Sequence, residues 1–137
     1  MSGTLIELTP LEQLFASFAA AELPKNAHSN GLENRRTALS GAGYLVAVYI
    51  ANTNTSAQYI QIHDTNAAPA SGAVPEVLIT AGASGDKFVP YSLPGRYFRH
   101  GITIANSSTA GTYTAGSADC FFDVQFIPIV GPSDSDG

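Results

Sequence analysis

The stretch Tyr44-Leu45-Val46-Ala47-Val48-Tyr49-Ile50-Ala51 decides the fold class. It is an uncharged run rich in β-branched and aromatic residues. Its length suits a strand better than a helix, and its lack of alternation suits a central strand covered on both faces. Asn52-Thr53-Asn54-Thr55-Ser56 then breaks the run with turn formers. Beyond it, Gln58-Tyr59-Ile60-Gln61-Ile62-His63-Asp64 alternates with period two. Ile60 and Ile62 fall on one face, and Tyr59, Gln61 and His63 on the other, which reads as an exposed strand face. The two runs and their short connection read as a hairpin.

The same alternation recurs downstream. Glu76–Thr80 reads as a short strand, Lys87–Val89 as another, and Arg96–His100 leads into Gly101-Ile102-Thr103-Ile104-Ala105. Residues 106–118 are a loop of Asn, Ser, Thr, Ala and Gly with one aromatic, Tyr113. In Cys120–Ile127 the residues Cys120, Phe122, Val124 and Phe126 should face a core. Val46, Val48, Ile60, Ile62 and Ile104 complete the expected core. No helical pattern separates these strands, so the crossovers of a parallel sheet are missing. The fold class is all-β, an antiparallel sandwich or jelly-roll-like domain with a short N-terminal helical arm.

Residues 1–40 form the expected arm and carry much of the charge: Glu7, Glu12, Glu22, Lys25, Glu33, Arg35 and Arg36. Thr9-Pro10-Leu11-Glu12 is a helix start, with Thr9 as N-cap, Pro10 at the first helical position and Glu12 closing a capping box. Leu11, Leu14, Phe15 and Phe18 then share one helical face, and Pro24 ends the helix. Lys25–Gly31 reads as a loop. The apolar stripe either packs on its own domain or docks on a neighbouring subunit. The β-sandwich proper occupies residues 41–130, and the polar residues 131–137 form a flexible tail.

Composition narrows the function. Of 137 residues 45% are hydrophobic and 12% charged, and six Lys and Arg against eleven Asp and Glu give a net charge of −5. Gripping phosphates needs a basic face, so nucleic acid is not an expected partner. No apolar run reaches the ~18 residues of a membrane span. The N-terminus, with Glu7 and Glu12, does not read as a secretory signal. A single cysteine, Cys120, rules out an internal disulfide and suits synthesis in a reducing cytoplasm. With so few charges, much of the surface must be small polar residues or contacts with other subunits.

Chemistry is thin. His63 and Asp64 are adjacent and point to opposite faces of a strand; His100, Asp119 and Asp123 are scattered. No nucleotide-binding, zinc-protease or serine-hydrolase motif is present. Asp134-Ser135-Asp136-Gly137 lacks the rest of a calcium loop. The expectation is a chain with no catalytic residues, cofactor or metal. Tyr59, Gln61 and His63 could stack and hydrogen-bond a sugar, and Arg96 and Arg99, in the only basic cluster, could meet an acidic partner.

The segments AVYIANTNTSAQYIQIHDTNAAPASGAVP (47–75) and GITIANSSTAGTYTAGSADCFFDVQF (101–126) resemble the small β-sandwich structural proteins of tailed bacteriophages. The resemblance implies a virion protein made in the host cytoplasm, most specifically a capsid decoration protein that stabilises the assembled shell. Its partners would be its own subunits, as a homotrimer, and the major capsid or another virion protein. A tail or baseplate component, or a carbohydrate-binding module contacting the host surface, is the alternative.

Overall fold

A computed structural model describes Thr9, Pro10 and residues 23–129. Nine strands lie among them: β1 (Lys25–His28), β2 (Arg35–Ser40), β3 (Gly43–Asn52), β4 (Gln58–His63), β5 (Val77–Ala81), β6 (Asp86–Pro90), β7 (Arg96–Phe98), β8 (Gly101–Ser107) and β9 (Cys120–Pro128). They form two antiparallel sheets. One runs β1-β9-β3-β6, with β7 also paired to β3; the other runs β2-β8-β4-β5. The inner faces interdigitate as in a sandwich. Leu45, Val48, Ile50, Phe122, Val124 and Phe126 come from the first sheet, and Ile60, Ile62, Ile79, Ile102 and Ile104 from the second. The all-β antiparallel reading therefore holds.

Several finer expectations give way. Residues 25–40, grouped with the arm because of their charge, belong to both sheets: β1 pairs with β9 and β2 with β8. Lys25–Gly31 is thus not simply a loop. Its connection to β2 is locked by Ser29, whose hydroxyl accepts from Phe122 N at 2.8 Å and donates to Glu33, which in turn holds Arg36. The helix expected after Thr9, with Leu11, Leu14, Phe15 and Phe18, lies outside the described residues, as does the tail.

β3 and β4 are not a hairpin. They lie in different sheets, and Asn52 builds the corner between them. Its buried amide donates to Ser56 O at 3.0 Å and Gly82 O at 2.9 Å and accepts from Asn54 N at 2.9 Å. Val46 is likewise not core. The register between β3 and β9 shifts between Leu45 and Ala47, so Val46 is the extra residue of a bulge and only half-buried. The bulge resets the phase, and so Leu45 and Val48, three apart, both face inward. Two glycines permit close approaches. Gly95 has φ +109°, and a Cβ there would sit 2.5 Å from Leu45 O; at Gly101 one would sit 2.6 Å from Thr65 O.

Candidate functional surface

Each sheet has an outer face, and the two differ. On the four-stranded sheet, β4 sends Tyr59, Gln61 and His63 outward beside Thr103, Ala105 and Ser107 of β8. This is the face expected to be exposed. Gln61 and His63 are instead 0% and 3% exposed, and only Tyr59, at 36%, reaches solvent. Segments 64–76 and 107–118 cross over the sheet and pair with one another, Tyr113 N with Ala73 O and Gly72 N with Tyr113 O, both at 2.8 Å. Tyr113 seals the lid, its ring 5.5 Å edge-on from the His63 ring.

Gln61 pins this lid. Its Nε2 faces the carbonyls of Thr109, Ala110 and Thr112 at 2.9, 2.9 and 3.0 Å. Three acceptors fix the amide's orientation, so Oε1 accepts from His63 Nε2 at 2.8 Å. That bond places the neutral imidazole's proton on Nε2. Burial lowers the His63 pKa, opposed by the negative charge of Glu76. Thr103 adds bonds to Thr37 and to Thr65 O at 3.0 and 2.8 Å. The face is polar because the lid over it is polar backbone.

At the lid's edge a cleft of about 180 Å³ is lined by His63, Asp64, Thr65, Pro69, Ala70, Ala73, Val74 and Glu76. Its side chains are already engaged. Asp64 accepts from His100 N at 2.7 Å and Gly101 N at 3.3 Å; although burial opposes ionisation, these bonds keep its pKa below the usual carboxylate value. Glu76 pairs with Arg96 at 3.2 Å. Among the described residues, the side-chain partners of His63 are the Gln61 amide and the Tyr113 ring, neither of them a hydroxyl or thiol poised for attack. Among the described residues no group of three or more His, Cys, Asp or Glu could hold a metal ion. Arg96, expected to meet an acidic partner, is thus occupied by Glu76, while Arg99 is exposed.

Among the described residues no segment crosses the outer face of the five-stranded sheet in this way. Register places Tyr97, Tyr44 and Ile127 in one outward row, Phe88, Tyr49, Asp123 and His28 in a second, and Ala51 and Phe121 in a third. Gln125 and Asn26 lie between the rows. Phe88 is 59% exposed and Tyr97 52%. Tyr44 and Tyr97 lean together with ring centroids 5.7 Å apart, and His28 stacks on Phe121 at 6.3 Å. By register the charges here are Asp86 and Asp123, with no Lys or Arg; Lys25, Lys87 and Arg96 stand opposite inward-facing Phe126, Ile50 and Leu45. Asp86 raises the Tyr49 hydroxyl's pKa, first through a hydrogen bond and then with burial and its charge. Sequence reading missed this platform because its aromatics come from four strands that only pairing brings together.

Compared with protein-family models, curated proteins and solved structures, the chain shows no match.

Proposed function

We propose that this protein is a structural subunit of a tailed-bacteriophage virion, most specifically a capsid decoration protein that assembles with copies of itself and stabilises the shell. One observation carries the reading: among the described residues, the outer face of one sheet is sealed by the protein's own loops, while none crosses the aromatic platform on the other. Apolar area of that kind favours a partner surface, since burying a large side chain is worth about 1.5–3 kcal/mol before ordering costs. Among the described residues Asp86 and Asp123 lie on the platform and no Lys or Arg does, which argues against nucleic acid or an anionic membrane as the partner. The phage assignment rests on the sequence resemblance at 47–75 and 101–126, and a homotrimer is the assembly it implies.

The cleft's His63, Asp64 and Glu76 are already committed to structural bonds, which argues against a catalytic use of it. Labelled protein imaged on particles tests the assignment. Regular occupancy of the shell supports decoration; a tail or baseplate position supports the alternative component, and absence from particles refutes both. A glycan-binding module is the second reading. Burial of Gln61 and His63 removes its first location, but the tilted Tyr44–Tyr97 pair near Gln125 and Asn26 offers rings for stacking and amides for hydrogen bonds. A glycan array with Tyr97→Ala as control tests it.

A further inference from the structure

We propose that Asn30-Gly31 is a site of self-modification, at which the asparagine closes a succinimide on the next backbone nitrogen and then opens to aspartate and isoaspartate.

Of the seven asparagines in the chain, only Asn30 precedes a glycine. The residue after an asparagine supplies the attacking nitrogen. Glycine, without a Cβ, leaves that nitrogen least hindered and most free to turn toward the side chain. The fold keeps the pair open. Ser29 is anchored before it, with its N donating to Phe122 O at 2.8 Å, and Glu33 after it, with its N donating to Cys120 O at 2.8 Å. Between these anchors Asn30, Gly31 and Leu32 are all exposed and lie outside any strand. A Cβ at Gly31 would meet nothing within 4 Å. Among the described residues neither the Asn30 amide nor Gly31 N has a hydrogen-bond partner.

The other asparagines are placed differently. Asn106 precedes a small residue, Ser107, but is fully buried, and its amide donates to Gln58 Oε1 at 2.8 Å and Ser117 O at 3.0 Å. The Asn52 amide holds the sheet corner, Asn54 donates to Asp119 at 2.8 Å, Asn26 to Asp123 at 3.2 Å and Asn34 to Gly116 O at 3.3 Å. Asn66 is exposed, but its follower, Ala67, carries a Cβ.

In the ring closure Gly31 N bonds to Asn30 Cγ and the Cγ–Nδ2 bond breaks. Nδ2 leaves as ammonia, taking the proton that Gly31 N gives up. Water then adds to one of the two ring carbonyls. Opening at Cγ gives aspartate; opening at the backbone carbonyl gives isoaspartate and routes the chain through Cγ, one backbone atom longer. Either product adds a negative charge to a chain of net charge −5. It adds it where the chain passes from β1 in one sheet to β2 in the other, next to the Ser29 hydroxyl that donates to Glu33.

The test holds the full chain, folded, in mildly alkaline buffer and maps its peptides by mass spectrometry over time. An isoaspartyl carboxyl methyltransferase with labelled S-adenosylmethionine marks the isoaspartyl form. Conversion at Asn30 should run several-fold faster than at any other asparagine. It should slow several-fold in Gly31→Ala, which folds unchanged because Gly31 has open space around it and lies outside the left-handed region. Conversion at Asn30 no faster than at Asn66, or undiminished in Gly31→Ala, would overturn the proposal. So would a folded chain that stays intact at Asn30 while the same chain in urea reacts there, since the two anchors would then hold the bend away from ring closure.

Discussion

Gln61 is the residue whose loss should reveal how the polar face is held. Gln61→Leu keeps the volume and removes both donors and the acceptor. The Nε2 protons number two and face three carbonyls, so one is shared and the amide contributes about two full hydrogen bonds there. The bond from His63 Nε2 makes a third. At roughly 0.5–1.5 kcal/mol net for each, with partners left buried, the loss should be about 2–4 kcal/mol. For a chain of this size that corresponds to a fall in Tm of very roughly 10 °C. Gln61→Glu should be worse, because it turns a carboxylate toward three carbonyl oxygens. Urea unfolding followed by tyrosine fluorescence and far-ultraviolet circular dichroism measures both. Tyr59→Ala, on the same strand face but half out of the lid, should change stability by much less. A loss below about 0.5 kcal/mol for Gln61→Leu would refute the claim that this amide pins the lid.

Phe122, fully buried between the sheets, should cost about 3–5 kcal/mol when replaced by Ala, measured by the same unfolding experiment. His63 has a folded pKa below its ordinary value of 6.5, mainly from burial and despite Glu76. The stability this represents is complete above pH 6.5 and is lost as pH falls below 6.5 toward the folded value, so Tm should fall between pH 7 and 5 and fall less in His63→Gln. Burial, with a smaller contribution from Asp119, pushes the Cys120 thiol up to about 11. Its reaction with a thiol reagent at pH 8 should therefore be slow in the native protein and fast in urea; equal rates would contradict its burial.

The strands with strict alternation were legible from sequence: Ile60 and Ile62, Ile102 and Ile104, and Phe122, Val124 and Phe126 all face inward as their period requires. In β3 the continuous apolar run carries no phase, so the bulge at Val46 could not be read from it. β1 and β2 were hidden by Lys25, Arg35 and Arg36, which sit on strands close to the sheet edges, where charge is tolerated. Gln61 and His63 misled for a different reason. A polar face against a polar lid has the same pattern as a polar face against water. Tyr113, a lone aromatic amid the small residues of 106–118, was the available signal that this loop is anchored. The platform was illegible because Phe88 and Tyr97 lie far along the chain from Tyr44 and Tyr49 and meet them only through strand pairing.

Light scattering of the wild-type chain beside Phe88→Asp/Tyr97→Asp tests most directly whether the aromatic sheet face joins subunits. Both side chains are largely exposed, so the substitutions should leave the fold intact, as circular dichroism would verify. At micromolar concentration the wild type should scatter as a multiple of 14.2 kDa, three-fold for the implied trimer, and the double variant as a 14.2 kDa monomer. A wild-type chain that is monomeric at that concentration, or a double variant that retains the wild-type mass, would contradict the account.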